Sequence, residues 1–127
     1  MRVAKAIIYD HNGKALLLRR SGTHPRYAYE PDLPGGIIEI GERYEDGLAR
    51  EIVEEVGIIL TTEQLVLIGE RSGLTTKRLY EVRLNEQPNI YISWEHDLYE
   101  WVEPSELKQR LASHDSFMTF VQTALKP

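Results

Sequence analysis

Apolar and polar positions change period several times along the chain, and each change marks an element. Val3 to Tyr9 is rich in Ala and Ile and predicts a strand. Asp10-His11-Asn12-Gly13 follows, and Asn-Gly is the strongest short hairpin signal, so Lys14 to Arg20 reads as the returning strand. Ser21 to Pro31, with Gly22, Pro25 and Pro31, is a loop long enough to suggest function. Leu33 to Ile40 is a short strand interrupted at Pro34-Gly35-Gly36. From Tyr44 to Glu55 the period becomes helical: Leu48, Ala49, Ile52, Val53 and Val56 form one apolar stripe, and Gly57 supplies the terminator. Strands are then expected at Leu65–Glu70, Thr75–Leu84, Ile90–Trp94 and Tyr99–Val102. Pro104-Ser105-Glu106 opens a helix with Leu107 and Leu111 inward. Ser113 to Leu125 makes another, with Phe117, Phe120, Val121 and Leu125 toward the core. No repeat or linker divides the chain, so residues 1–127 are expected to form a single α/β domain with a mixed sheet.

The predicted central helix also carries Glu51, Glu54 and Glu55. At about 3.6 residues per turn these three share a face, centred roughly 140° from the apolar stripe. Like charges at this spacing repel. A hard divalent cation would offset the repulsion, because carboxylate oxygens suit Mg²⁺ or Mn²⁺. The expectation is that Glu51 and Glu55 lie on the solvent-facing side. Arg50 precedes Glu54 by four and is expected to orient it. The bare backbone at Gly35 and Gly36 can approach a phosphate or lend a carbonyl oxygen to a metal.

Charge supports this focus. The formal net charge is −5. Residues 39–55 hold seven acids and two bases, so the whole excess sits in this segment. A general nucleic-acid binder would want a basic footprint instead, and nucleic acid is disfavoured as a partner. There is no cysteine, which excludes disulfides, thiolate metal sites and a cysteine nucleophile. No secretory signal or bilayer-spanning run is read from the sequence, and the expected location is cytoplasmic.

The stretch from Gly36 to Ile58 resembles the Nudix box, G-x5-E-x7-R-E-U-x-E-E-x-G-U, with U a bulky aliphatic residue. Gly36, Glu42, Arg50, Glu51, Ile52, Glu54, Glu55, Gly57 and Ile58 fill every defined position. Leu33-Pro34-Gly35 and Trp101-Val102 extend the likeness over most of the chain. The resemblance implies the Nudix fold, a mixed β-sheet sandwiched between α-helices. It also implies metal-dependent hydrolysis of a nucleoside diphosphate linked to another group, X. Glu51, Glu54, Glu55 and the Gly36 carbonyl are then the metal positions, with Mg²⁺ as cofactor or Mn²⁺ in its place.

Family members differ in their general base, some using a box glutamate and others a later loop acid. Glu54 is one candidate here. Glu95, six residues before Trp101, resembles that loop acid, against an ordinary loop carboxylate as the alternative; Asp97 and Glu100 are rivals. Arg50 joins the catalytic set through its place in the box. Glu42 is expected to accept backbone or arginine hydrogen bonds. Arg20, ending the second strand, is expected either to turn toward the nucleotide, as in similar members, or to be a solvated strand-end charge. His96 reads as a polar loop residue, Lys77 and Arg78 as surface cations, and Tyr27, Tyr29 and Phe117 as packing residues. The expected partner is a small-molecule nucleotide, such as a nucleoside triphosphate or nucleotide sugar, with a homodimer left open. Two other readings stand beside this one: a nucleotide-sensing module without turnover, and an RNA 5′-end pyrophosphohydrolase.

Overall fold

Strand β1 (Arg2–Tyr9) is the spine of the fold. The computed structural model describes residues 1–125. Along β1 the side chains alternate strictly, as the pleat requires. Ala4, Ala6 and Ile8 enter one core, whereas Ile7 enters the other. Strand β2 (Ala15–Arg20) does the same, sending Leu16 and Leu18 one way and Ala15 and Leu17 the other. The sheet is therefore buried on both faces. The first core is closed by helix α1 (Tyr44–Val56) through Leu48, Ile52 and Val56. The second is closed by α2 (Pro104–Arg110) and α3 (Ser116–Ala124) through Leu107, Phe117, Met118 and Val121. This is the expected α/β/α sandwich.

The other strands are β3 (Pro31–Asp32), β4 (Gly35–Ile38), β5 (Val66–Arg71), β6 (Thr76–Arg83) and β7 (His96–Val102). β1 runs parallel to β6 along its length, antiparallel to β4 over Arg2–Lys5, and meets β2 at its far end. β2 in turn pairs antiparallel with β3 and β7. The predicted Leu33–Ile40 strand is thus shorter, being β4 alone, and β3 precedes it with a different neighbour. In the β1–β2 turn, Asp10 Oδ1 accepts from the amides of Asn12 and Lys14, both at 2.9 Å, and Gly13 takes φ +77°.

Three expectations are corrected. Ile90–Trp94 is not a strand. Tyr91 N–H donates to Val56 O and Ser93 N–H to Glu55 O, so this segment satisfies carbonyls that the end of α1 leaves without helical partners. Its backbone is spent on the helix rather than on a sheet. Val53, assigned to the apolar stripe, is 44% exposed, whereas Glu55, expected on the solvent side, is 4% exposed. Glu55 lies two turns after Leu48, which puts it on the buried face, while Val53 sits at the rim. The last helix begins three residues later than predicted, because Asp115 caps it by accepting the Phe117 amide at 2.7 Å. Among the described residues no helix is long and apolar enough to cross a membrane.

Candidate active site

Where β1, β4 and α1 meet the β2–β3 loop and the start of α3, the surface opens into a cavity of about 480 Å³. Glu51, Glu55 and Glu95 supply an acidic wall. Lys5, Arg20, Arg26 and Lys77 also line the cavity, with His24, Asp32 and Asp115 among them. The Gly35-Gly36-Ile37 backbone borders the acidic side.

The glycine bend is made by close packing. Gly35 has φ +139°, and a Cβ there would stand 2.2 Å from Ala4 O and 2.6 Å from Lys5 Cα. No other residue fits. The bend turns the Gly35 amide onto Glu55 Oε1 at 2.6 Å. At Gly36 a Cβ would fall 3.0 Å from the Glu51 carboxylate, so bare backbone lies directly against that side chain. Burial pushes the Glu55 carboxyl up to about 8, against the pull of Lys5 and the Gly35 amide. Burial also raises Glu51, with Arg50 opposing it. Glu95 adds to the rise at both. The two acids are held where negative charge is poorly solvated.

Arg50 works at the back of this wall. Its Nε and Nη2 reach Glu42 Oε2 and Oε1 at 3.0 and 2.9 Å, a two-point clamp. Its Nη1 donates to Glu51 Oε1 at 3.1 Å, and Glu54 is more distant at 3.6 Å. So Arg50 orients Glu51 more closely than Glu54, which was its expected partner. Glu42 takes the structural role read for it: its Oε1 also accepts the Glu39 amide at 2.8 Å. The Arg50 clamp holds the Glu42 carboxyl down at about 2.

Lys5, Arg20 and Asp32 belong to a buried cluster that the sequence did not reveal. Asp32 accepts from Lys5 Nζ at 2.7 Å, from its neighbour Leu33 N–H at 2.9 Å, and lies 3.3 Å from Arg20 Nε. Its Oδ2 also meets His96 Nε2 at 2.9 Å. Burial works against the Asp32 charge, yet Lys5, His96 and Arg20 together pull its pKa well below the usual carboxylate range. Arg20 is 2% exposed and also holds Asp115 Oδ2 at 2.5 Å. It borders the cavity, but it is no solvated strand-end charge, and its guanidinium is occupied by two carboxylates. His96, read as a loop residue, is the buried first residue of β7. The one sequence signal was Lys5, a cation inside an otherwise apolar strand, which needs a buried counter-charge.

The candidate bases separate cleanly. Glu95 lines the cavity. The Glu54 side chain is 58% exposed and is not part of the cavity lining. Asp97 is clamped by Arg19 at 2.8 and 3.0 Å, and Glu100 is paired with Arg110 at 2.5 Å. Lys77 borders the cavity instead of a plain surface, whereas Arg78 is engaged with Glu70. Phe117 packs edge-on against Phe120, as expected.

The donor set suits a hard cation: two carboxylates, both raised in pKa by burial, and a bare glycine backbone line the same cavity. Among the described residues no three acidic or histidine side chains stand in closed-ligand spacing. Glu55 is turned to Gly35 and Glu51 to Arg50, with Glu54 outside.

The family model described as the NUDIX domain matches residues 1–120. An uncharacterized Nudix hydrolase of Nostoc sp. is 32% identical over 114 residues, covering 84% of this chain and 66% of that protein. The chain thus spans just under two thirds of that relative's length. A putative 8-oxo-dGTP diphosphatase 2 of Mycobacterium tuberculosis is 32% identical over 113 residues, covering 83% of this chain and 74% of that one. Among solved structures, the MutT protein from Methanosarcina mazei Go1 superposes with a TM-score of 0.77 at 25% identity, over 98% of this chain and 88% of its own. With Gly36, Glu51 and Glu55 of the box lining one cavity and the family model matching residues 1–120, the conclusion is plain: the chain belongs to the Nudix family.

Proposed function

We propose that the protein hydrolyses a phosphoanhydride in a nucleoside diphosphate linked to X, with a nucleoside triphosphate as the favoured substrate class. The carrying observation is that Glu51, Glu55 and Glu95 line one cavity together with the cationic Arg26 and Lys77. A volume of about 480 Å³ is within the usual range of small-molecule sites. The M. tuberculosis relative, named for 8-oxo-dGTP, supports the triphosphate class.

Glu51 and Glu55, with the Gly36 carbonyl, would hold Mg²⁺ or Mn²⁺. When bound, the cation neutralises phosphate oxygens and favours deprotonation of water. The protein's own part follows from its walls. Lys77, which borders the cavity, draws in the polyphosphate. Glu95 accepts a proton from the attacking water. A P–O bond forms from that water, the bridging P–O bond breaks, and the departing phosphate keeps its electron pair. Arg50 and Glu42 keep Glu51 in place throughout.

The test is release of phosphate or pyrophosphate from a panel of nucleoside triphosphates and nucleoside diphosphate derivatives with Mg²⁺ or Mn²⁺. Turnover of a triphosphate to monophosphate and pyrophosphate is expected. Tight nucleotide binding without turnover across the panel would instead favour a sensing module.

A further inference from the structure

His24 stands on the loop between β2 and β3 and borders the cavity beside Glu95. Its ring chemistry limits what it can do there. His24 Nδ1 accepts the backbone N–H of Arg26 at 3.0 Å. A ring nitrogen that accepts carries no proton, so the neutral ring has its hydrogen on Nε2. Burial, and next the charge of Arg20, hold the His24 pKa below its ordinary value, which keeps the ring neutral. The donor Nε2 lies 3.7 Å from Glu95 Oε2. That is just beyond hydrogen-bond reach, and a small side-chain rotation closes it.

The backbone has already brought the pair together. Ser21 N–H donates to Glu95 O at 2.8 Å, and Ser21 Oγ donates to Trp94 O at 2.8 Å. His24 N–H then returns to Ser21 O at 3.2 Å. The loop is laced to the Glu95 segment within three residues of the histidine. Arg20, Asp32 and the His96 ring, the latter 6.0 Å away between centroids, are the other charged or titratable groups around His24. Among the described residues no other carboxylate pairs with it.

We infer that His24 is a positioning residue for Glu95: its Nε2–H donates to Glu95 Oε2 in the substrate complex and leaves Oε1 to face the attacking water. This rests on the reading of Glu95 as the base. The geometry makes a sharp test, because two substitutions each keep one half of the imidazole. Asparagine puts an oxygen near the Nδ1 position and can still accept the Arg26 amide. Glutamine puts an amide donor near the Nε2 position and can still reach Glu95.

His24→Asn, His24→Gln, Glu95→Gln and the double variant His24→Asn/Glu95→Gln are compared by kcat, KM and melting temperature. His24→Asn is expected to lower kcat by roughly tenfold to a hundredfold with little change in KM, as misplaced reacting groups do. His24→Gln should recover most of that loss. In the Glu95→Gln background, His24→Asn should cost nothing more. A parental rate in His24→Asn with a crippled Glu95→Gln overturns the inference alone. Recovery by Asn but not Gln assigns His24 to loop structure and also overturns it. A parental rate in Glu95→Gln removes the base reading and the role of His24 together.

Discussion

The Gly35 amide donates to Glu55 Oε1 across 2.6 Å, tying the backbone bend before the box to the last turn of α1. One bond thereby fixes how the glycine strip faces the acidic wall. The two flanking glycines should differ in what they tolerate. Gly35→Ala meets backbone at 2.2 Å in a conformation that side chains rarely adopt, and should destabilise the protein by about 3 kcal/mol or more. Gly36→Ala meets only the end of the Glu51 side chain, so it should cost little stability and much turnover. Urea denaturation and turnover of both variants check the contrast.

Glu55 makes metal-free stability depend on pH. Its folded pKa of about 8 lies above the ordinary value of 4.5. The folded state therefore binds a proton that the unfolded state releases, and stability falls as pH rises from about 4.5 to about 8. Glu55→Gln keeps an acceptor for Gly35 and removes the titration. Relative to this variant, the parent should lose on the order of a few kcal/mol between pH 5 and pH 9, measured by urea denaturation without divalent cations. Parallel curves would remove Glu55 as the cause.

The same proton should appear in cation binding. With its folded pKa raised to about 8, Glu55 should hold most of a proton near pH 7, and Mn²⁺ loaded onto that carboxylate should release it. Calorimetry in buffers of different ionisation enthalpy should detect the release, and apparent affinity should rise from pH 6 to pH 9. Glu55→Gln should abolish most of the proton release.

Asp32 has the opposite sign. Its folded pKa is depressed, so its contribution is present above the ordinary carboxylate pKa and is lost as pH falls toward the folded value. Asp32→Asn leaves Lys5 and Arg20 buried without their shared counter-charge, and should cost about 3–5 kcal/mol. Denaturation at pH 7 measures the loss, and the gap between parent and variant should narrow in acid.

The elements that were legible in the sequence are those carried by local pattern. The apolar strand β1, the Asn-Gly turn, the α1 stripe apart from Val53 and the Gly57 terminator all depend on near neighbours, and all formed. Long-range choices were hidden. Asp32 finds Lys5 and His96 from 27 and 64 residues away, and no local pattern encodes such a meeting. Ile90–Trp94 has strand-like composition but is captured by the end of α1. In the site, the box told which acids to watch but not how they divide: Glu55 buried, Glu51 mostly buried and Glu54 out in solvent.

The most direct test is to locate the cation. Crystals soaked with Mn²⁺ and a non-hydrolysable nucleoside triphosphate analogue should give an anomalous peak against the Glu51 and Glu55 carboxylates, with the polyphosphate in the same cavity. Glu51→Gln and Glu55→Gln should lose that peak and at least about a hundredfold of turnover. Manganese and nucleotide bound together elsewhere, with both variants still active, would contradict the account.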